Sequence, residues 1–297
     1  MIEAVKIKQH TRQWGILSGL GAASIWGGMY VVSKVVLEVI PPFALITLRL
    51  ILGIAVLWLI AARRGGTGFS RRQILQVAAV GWVGYGISLS FQFVGTKLST
   101  ASNGALVTSA TPAFVLLFAA WLLGEPVTRR RLAALAVSTL GVLVVIDPRT
   151  ARLSPDLFWG NLSLVAAAVT WGLYSVLIRK VTRSLDTLSV SLVAFFGGLL
   201  VTVPAGAWEM NTQGVGEITP GIIAGVLFLG IISTALAMYL WNNAFATLEA
   251  GAASLTFFAQ PVVGAGLGAL FLGERLTPLF LLGGILIAIG LWLANEG

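Results

Sequence analysis

The amino-acid sequence predicts an all-α membrane protein with ten transmembrane helices, arranged as two inverted five-helix repeats. Three observations lead to this prediction: the chain is strongly apolar, its apolar residues form ten runs, and its second half repeats the first. Of the 297 residues, 57% are hydrophobic and 10% are charged, whereas about a quarter of a typical soluble domain is charged. A chain of this length cannot bury that much apolar surface in a soluble core, so we expect it to fold in a lipid bilayer.

Ten apolar runs have the length that a membrane crossing requires, since a helix needs about 20 apolar residues to span the hydrocarbon layer. The first run continues from Trp14 without a signal-peptide cleavage site, so it is interpreted as a retained span. The connections are short and leave no room for a separate soluble domain. The predicted spans cover residues 14–37, 42–62, 72–95, 100–123, 129–147, 157–179, 186–208, 219–245, 250–273 and 278–295.

The turns before the fifth and tenth spans share one sequence pattern. The segments Gly124-Glu125-Pro126-Val127-Thr128 and Gly273-Glu274-Arg275-Leu276-Thr277 each provide a glycine to end one helix and a threonine to cap the next. We expect Glu125 and Glu274 to cap backbone N–H groups in these turns.

The placement of Lys and Arg predicts the orientation in the membrane. With a cytoplasmic N-terminus, 13 of the 19 basic residues lie in cytoplasmic segments, four lie on the opposite side, and Lys34 and Arg49 lie within spans. This bias follows the positive-inside rule. The sequence therefore predicts a multi-pass protein of a bacterial cytoplasmic (inner) membrane, with both termini in the cytoplasm.

An internal repeat relates the two halves of the chain. Trp26-Gly27 matches Trp171-Gly172 at an offset of 145 residues, and the two Gly-Glu-x-x-Thr turns match at an offset of 149 residues. Because each half has five spans, an odd number, the second half must insert in the opposite orientation. The predicted organisation is a cytoplasmic tail (1–13), a first five-helix repeat (14–147), a periplasmic linker (148–156) and a second five-helix repeat (157–297).

Inverted repeats favour a transport function. Two similar halves related by an axis in the membrane plane can exchange conformations, which opens a midplane site to one side and then to the other. A duplication can also persist for folding alone. Because the chain has no room for an enzymatic or receptor domain, transport by alternating access is the preferred interpretation.

Residues 14–295, nearly the whole chain, resemble a known family. Two five-span halves, a Trp-Gly pair near the middle of the first span of each half, and a Gly-Glu-x-x-Thr turn between the fourth and fifth spans are similar to EamA-type members of the drug/metabolite transporter superfamily. The resemblance implies export of amino acids or related metabolites through a central cavity lined by the first four spans of each half, with the fifth and tenth spans peripheral. The sequence also resembles the aromatic amino-acid exporter branch (YddG-type), which implies aromatic or other hydrophobic amino acids as substrates.

Trp26 and Trp171 lie about a dozen residues into their spans, and thus far from the interfacial belt where membrane tryptophans collect. We predict that both line a substrate cavity, where a substrate, water or a neighbouring helix accepts a hydrogen bond from the indole N–H. The alternative is packing between helices, which the adjacent Gly27 and Gly172 would favour.

Polar side chains inside the third and eighth spans are further candidates, because such residues are costly in lipid unless they face protein or water. Amides and phenols can bind the ammonium and carboxylate groups of a zwitterion, and aromatic faces suit a flat or apolar side chain. The alternative is hydrogen bonding between helices. The candidate substrate-binding residues are Trp171, Trp26, Tyr85, Gln92, Ser88, Tyr239, Asn242, Asn243 and Gln260.

Pro112 and Pro261 occupy equivalent positions, where each is predicted to free a backbone carbonyl and kink its helix in the middle. They are candidate gating residues, with a plain bend as the alternative. For Lys34 and Arg49 we favour a structural role over binding of a substrate carboxylate. No Asp or Glu lies near the middle of a predicted span, so we expect transport driven by the substrate gradient, without a proton carrier.

The residues also exclude several function classes. The chain lacks cysteine and its single histidine, His10, lies in the N-terminal tail, so no metal site built from Cys or His is expected in the membrane. No catalytic constellation is found, and we expect neither enzymatic activity nor a cofactor or a bound metal. The expected partners are a small-molecule substrate and the lipid bilayer, not nucleic acid, and a monomer is compatible with this pattern. The alternatives are a multidrug or organic-cation carrier, a phosphorylated-metabolite carrier and a passive channel.

Overall fold

The computed structural model describes residues 2–63, 68–99, 101–146, 157–272 and 278–295, and within these ranges every regular element is helical. The first half contains α1 (Ile2–Leu37), α2 (Pro42–Ala62), α3 (Arg71–Gly81), α4 (Leu89–Leu98), α5 (Ala101–Thr108), α6 (Thr111–Leu123) and α7 (Arg129–Ile146). The second half contains α8 (Phe158–Thr182), α9 (Thr187–Gln213), α10 (Pro220–Leu227), α11 (Ala237–Thr247), α12 (Ala250–Leu255), α13 (Ala259–Leu272) and α14 (Pro278–Asn295). A first π segment (Trp82–Ser88) joins α3 to α4, a second π segment (Phe228–Leu236) joins α10 to α11, and a 3₁₀ turn (Thr256–Phe258) joins α12 to α13.

Seven helices are long and apolar enough to cross a membrane, as judged by length and composition over the described ranges. They cover Thr11–Leu37, Pro42–Ala62, Arg71–Leu98, Leu106–Leu123, Phe158–Thr182, Thr187–Gln213 and Pro220–Thr247. The other predicted spans (129–147, 250–273 and 278–295) correspond to α7, to α12 with α13, and to α14, which do not reach that criterion in the part of the chain that is described. The protein is therefore an all-helical membrane protein, and the count of ten crossings stays a prediction. Because α1 begins at Ile2, the tail predicted before residue 14 is helical from that residue on.

The turn between α6 and α7 has the predicted construction. Gly124 ends α6 in the left-handed region, with φ of 65°, and Thr128 accepts a hydrogen bond from the Arg131 N–H at 3.2 Å. A glycine stop and a threonine cap are therefore confirmed at this turn. Its counterpart at residues 273–277 lies outside the described residues, and so does the predicted linker 148–156.

The first helix of each half packs into the other half. α1 packs against α11 and α13, and α8 packs against α4 and α6. α2 packs against α9, and α7 packs against α14. Exchanging every helix for its counterpart in the other half (α1 for α8, α4 for α11, α6 for α13) returns the same set of contacts. The helices α1 and α8 thus occupy equivalent central positions.

Glycines next to the two central tryptophans permit this close packing. A Cβ at Gly27 would lie 2.8 Å from the carbonyl oxygen of Gln260, and a Cβ at Gly172 would lie 2.8 Å from the Cβ of Phe114. Any larger side chain would force the helices apart, as expected for small residues at helix contacts in membranes. Helix packing and cavity lining are therefore not exclusive at this point of the chain, because the glycine and the tryptophan face different neighbours.

The helices α7 and α14 lie at the edge of the fold. Their buried residues Ala134, Val142 and Ile287 form a small hydrophobic cluster with Leu255 and Phe258, separate from the main core. This arrangement agrees with the peripheral position that the family resemblance implies for the fifth and tenth spans.

The two prolines require a correction. The fourth predicted span is broken between Thr108 and Thr111, and Pro112 stands in the first turn of α6. In the ninth predicted span, Pro261 is the third residue of α13, after the 3₁₀ turn. The prolines therefore do not lie in the middle of continuous helices. They begin the second helical piece, where a missing N–H leaves no intrahelical hydrogen bond unmade.

Candidate functional site

A cavity lies between the two halves. It is bordered by the central helices α1 and α8, by the first π segment with α4, by α11, and by the breaks that precede α6 and α13. The space is narrow in this conformation, with room for about one water molecule, so a larger solute requires the walls to move apart. The lining residues are Trp26, Met29, Ser88, Leu89, Gln92, Thr108, Thr111, Ala167, Trp171, Met238, Phe257 and Gln260.

Most of the wall is built from equivalent positions of the two halves. The equivalent pairs are Trp26 with Trp171 at the offset of 145, and Leu89 with Met238, Thr108 with Phe257, and Thr111 with Gln260 at the offset of 149. The cavity therefore lies on the axis that relates the contacts of the two halves. The halves contribute different chemistry at two of these pairs: Thr108 corresponds to Phe257, and Thr111 corresponds to Gln260.

Aromatic rings form a continuous cluster along one side of the cavity. Trp26 contacts Trp171 edge to face, with ring centroids 5.7 Å apart, and Trp241 at 5.3 Å. Phe257 lies 6.1 Å from Trp26, and Tyr174 lies 4.7 Å from Trp171. Such distances are typical of favourable aromatic pairs. Trp26 and Trp171 are thus in contact with each other, as well as with the cavity.

The two indole N–H groups differ in their hydrogen bonding. The Nε1 atom of Trp26 donates to the backbone carbonyl of Ser233 in the second π segment, at 3.1 Å. The Nε1 atom of Trp171 is buried and has no hydrogen-bond partner among the described residues, and the same holds for Thr111 Oγ1 and Gln260 Nε2. These three unpartnered atoms all belong to the cavity wall. Buried polar atoms without a partner are rare in folded proteins and call for an explanation.

Ser88 and Gln92 line the cavity as predicted, but protein groups already bind their side chains. Ser88 Oγ donates to the carbonyl of Ala167 at 3.0 Å, and Gln92 Nε2 donates to the Tyr30 hydroxyl at 2.8 Å. Tyr30 in turn shares a hydrogen bond of 2.8 Å with Thr108. These contacts fix the wall and connect α1 to α4 and α5.

Tyr85 and Asn242 form a closed hydrogen-bond network behind Trp171. The Tyr85 and Tyr174 hydroxyl groups are hydrogen-bonded to each other, and the Tyr174 hydroxyl donates to Asn242 Oδ1 at 2.7 Å. Asn242 Nδ2 donates to Tyr85 at 3.2 Å and to Ser191 at 2.9 Å. Because every group has a partner and none borders the cavity, this network orients the aromatic cluster instead of facing a solute.

Asn243 and Tyr239 lie away from the cavity. Asn243 Nδ2 donates to Ser18 Oγ of α1 at 3.0 Å, which is the hydrogen bond between helices that the sequence left open as the alternative. Tyr239 is half-buried and packs at the edge of the main core. Consecutive helical residues point about 100° apart, so Asn242 and Asn243 cannot face the same neighbour.

Several wall residues escaped the sequence reasoning because they carry no unusual chemistry. They are Met29, Leu89, Thr108, Thr111, Ala167, Met238 and Phe257. The internal repeat held the signal for one of them, since Thr111 is the counterpart of the candidate Gln260.

Lys34 lies in the last turn of α1, and we refer to this part of the molecule as the Lys34 end. Its Nζ atom donates to the backbone carbonyls of Thr96 at 3.1 Å, Lys97 at 3.0 Å and Ser99 at 2.7 Å, at the C-terminal end of α4. A cation at this position satisfies carbonyls that have no partner within their own helix.

The equivalent residue, Arg179, lies in the last turn of α8, and we refer to that part of the molecule as the Arg179 end. Arg179 is the counterpart of Lys34 at the offset of 145. Its Nη1 atom donates to the carbonyls of Phe245, at 2.9 Å, and Leu248, the counterparts of Thr96 and Ser99. Its Nε atom also pairs with Glu125 at 2.8 Å. Equivalent bases thus hold equivalent carbonyls at both ends.

Glu125 fulfils its predicted capping role at the Arg179 end. Its carboxylate accepts hydrogen bonds from the N–H groups of Ala250, at 3.1 Å, and Gly251, at 3.3 Å, at the start of α12. Its ion pair with Arg179 was not anticipated. One buried carboxylate therefore joins the ends of α6, α8 and α12.

A membrane protein of this fold, with a narrow aromatic cavity between two related halves, belongs to the class of membrane transporters of small solutes. Residues 13–147 and 158–295 each match the EamA-like transporter family, and the chain belongs to that family. Transport, not catalysis, is the activity of this family.

Relatives of similar length support this assignment. A probable amino-acid metabolite efflux pump of Salmonella typhimurium is 26% identical over 285 residues, which span 91% of this chain and 90% of the relative. A protein of the same description from Escherichia coli is 25% identical and is matched over 95% of both chains. One crystal structure shares the fold with a TM-score of 0.77, at 24% identity, over 95% of this chain and 96% of the other.

Proposed function

We propose that this protein exports small organic solutes across a bacterial cytoplasmic membrane, preferably amino acids with aromatic or other hydrophobic side chains and related metabolites. The observation that carries this proposal is the set of unpartnered polar atoms in an otherwise aromatic and apolar cavity. They belong to Trp171, Gln260 and Thr111 among the described residues. Since buried polar atoms normally have partners, these atoms are the ones that a bound solute would engage.

The chemistry of the wall matches an amino acid with an apolar side chain. The rings of Trp26, Trp171 and Phe257 offer faces and edges to a flat side chain, each contact contributing about 0.5–1.5 kcal/mol beyond area burial. The Trp171 N–H and the Gln260 amide can donate to a carboxylate, while the Thr111 hydroxyl can accept from an ammonium group. The relatives described as probable amino-acid metabolite efflux pumps support the same substrate class. Membership of the aromatic exporter branch is part of this proposal.

Two inverted repeats of five spans are the proposed architecture, with ten crossings in total. The exchange of helix contacts between halves, the paired positions in the cavity wall and the family match to two successive segments support it. In this arrangement the repeats are 14–147 and 157–297, the linker 148–156 is periplasmic, and both termini are cytoplasmic. The Lys34 end then faces the periplasm and the Arg179 end faces the cytoplasm.

A narrow cavity between two related halves supports transport by alternating access. A solute enters when the contacts of one end separate and leaves when those of the other end separate. No basic residue borders the cavity among the described residues, which argues against a phosphorylated substrate in this conformation.

Counterflow in proteoliposomes tests the proposed function. Vesicles loaded with unlabelled phenylalanine should accumulate labelled phenylalanine transiently, with saturable kinetics, because a carrier exchanges solutes one at a time. Labelled uptake that ignores the internal solute would indicate a channel. Uptake of tetraphenylphosphonium in place of any amino acid would favour an organic-cation carrier.

Two Trp→Phe variants separate a solute contact from a structural contact. Trp171→Phe removes an N–H that has no partner among the described residues, so we expect phenylalanine affinity to fall about 2- to 10-fold with unchanged stability. Trp26→Phe removes the hydrogen bond to Ser233, so we expect the free energy of unfolding to fall by about 0.5–1.5 kcal/mol. Trp159→Phe, at a side chain that is 70% exposed, is the matched control. A stable Trp171→Phe protein with wild-type affinity would contradict the assignment of its N–H to the solute.

A further inference from the structure

Arg49 is a fully buried cation in the middle of α2. Its side chain has no exposed surface, and no ion pair involves it among the described residues. A charge that is removed from water without a counter-charge is costly, and it is normally paired or neutralised. In a membrane protein, such a residue is a functional candidate by default.

The contacts of Arg49 are made with neutral groups. Nε donates to Thr234 Oγ1 at 2.9 Å and to the Leu229 carbonyl at 3.3 Å, both in the second π segment. One terminal nitrogen, Nη2, lies 3.3 Å from Ser233 Oγ, and the other, Nη1, has no partner. These groups orient the guanidinium, but they leave its positive charge without an anion.

The guanidinium lies one side chain away from the cavity. Nη2 is 3.8 Å from the sulfur of Met29, and Met29 borders the cavity. Ser233 provides a second link to the cavity wall. Its hydroxyl accepts a hydrogen bond from Arg49, and its backbone carbonyl accepts one from Trp26. Methionine is unbranched and changes rotamer easily, and Met29 is a side chain that stands between the guanidinium and the cavity.

We propose that Arg49 binds the carboxylate of the transported solute and thereby restricts transport to solutes that carry one. This inference rests on the proposed export function and defines its substrate class: the free carboxylate is required, and apolar amines or amides are poor substrates. The solute carboxylate replaces the sulfur of Met29 next to Nη2 and engages the unpartnered Nη1, which gives the two parallel hydrogen bonds that a guanidinium makes with a carboxylate.

The repeat adds an independent reason for this assignment. The position of α9 that corresponds to Arg49 at the offset of 145 is Ala194. The charge is therefore not part of the framework that both halves share, as Lys34 and Arg179 are. It is a single added group behind a cavity wall that is mostly paired.

A series of three solutes with the same ring tests the proposal. Phenylalanine, phenylalaninamide and phenethylamine compete with labelled phenylalanine for counterflow by the wild-type protein. We expect phenylalanine to bind at least about tenfold more tightly than the other two, because a charge-assisted bidentate contact is lost in both. Equal competition by all three solutes would overturn the assignment without any variant.

Substitutions then locate the effect. Arg49→Gln should weaken the binding of phenylalanine at least about tenfold and leave the binding of phenethylamine unchanged, so that the preference for the carboxylate disappears. Arg49→Lys keeps the charge and should retain part of the preference. Arg71→Gln removes a charge from an exposed position at the start of α3 and serves as the control. Parallel losses for all three solutes in a folded Arg49→Gln protein would identify Arg49 as a purely structural residue.

The two levels of the hypothesis fail in different ways. Counterflow of phenylalanine without a preference for the carboxylate refutes the role of Arg49 and leaves the export function standing. Absence of counterflow with every solute refutes the export function itself. If Arg49→Gln does not fold, the wild-type preference and the Arg49→Lys variant still decide the question.

Discussion

Lys34 and Arg179 hold equivalent carbonyl groups at opposite ends of the molecule, but with different chemistry. Lys34 is a point charge that binds three carbonyls, and no ion pair involves it among the described residues. Arg179 binds two carbonyls and, through the same guanidinium, the buried carboxylate of Glu125. The carbonyl contacts are common to both ends, and the Arg179 end also has an ion pair with Glu125, whose repeat counterpart, Glu274, lies outside the described residues.

The ion pair between Arg179 and Glu125 increases the free-energy cost of opening the Arg179 end. Lys34 and Arg179 both make charge-assisted hydrogen bonds to carbonyl groups, but opening the Arg179 end also separates two largely buried ions, Arg179 and Glu125. We therefore expect the Lys34 end to open first. With the orientation that the basic residues predict, the empty carrier then faces the periplasm more often than the cytoplasm.

The largest effect is expected from removal of the carboxylate. Glu125→Ala leaves Arg179 unpaired and exposes two N–H groups of α12, so the free energy of unfolding should fall by about 3–5 kcal/mol. Unfolding in detergent measures this loss. Access to the cavity is measured in a Leu89→Cys background, which places a single cysteine in the cavity wall because the natural chain has none. A thiol reagent that cannot cross membranes should then label this cysteine from the cytoplasmic side, because the weakened Arg179 end opens more often.

Glu217→Ala is the matched control for this variant, since it removes an exposed carboxylate that makes no described ion pair. Equal stability of the two variants would remove the difference between the ends. Labelling of Leu89→Cys from the periplasmic side in Glu125→Ala would contradict the orientation.

A smaller effect is expected at the other end. Lys34→Met loses the hydrogen bonds to three carbonyls and breaks no ion pair among the described residues, so the loss in unfolding free energy should be about 1–3 kcal/mol. Labelling of Leu89→Cys should increase from the periplasmic side. Lys34→Arg should behave like the wild type. A loss that exceeds that of Glu125→Ala would reverse the assigned order of the ends.

No effect is expected from collapse of the proton gradient. The buried carboxylates of the described residues are Glu125 and Glu209, and both cap helix N-termini: Glu209 accepts from the N–H of Phe43 at 2.7 Å. Neither borders the cavity. A protonophore added to vesicles with an intact phenylalanine gradient should leave the rate unchanged. Loss of transport under these conditions would contradict transport that is driven by the substrate gradient alone.

The sequence contained enough information for the class of the fold and for part of the site. Composition indicated a membrane protein, and the paired Trp-Gly sequences located Trp26 and Trp171, which both border the cavity. Ser88, Gln92 and Gln260 also border it. Polarity inside an apolar span was the useful signal in each case, because such groups must face protein or water.

Helical phase was the information that the sequence lacked. A helix that is apolar on all sides gives no periodicity to show which face is inside, and Asn242 and Asn243 were therefore treated alike although they bind different helices. The π segments shift the helical phase further, and the residue pattern did not predict them. The sequence predicts kinks in continuous helices at Pro112 and Pro261, whereas the structure has breaks just before both prolines.

The packing of α1 against α11 and α13 has a consequence for biosynthesis. Trp26 is bonded to a residue 207 positions later in the chain, and Ser18 to one 225 positions later. At about 5–20 residues per second, α1 therefore spends about 10–45 seconds in the bilayer before its partners have been translated. Each half alone would lack the helices that bury its own first span. The two segments that resemble domains in sequence thus fold as one cooperative unit, and neither is expected to be stable as a separate fragment.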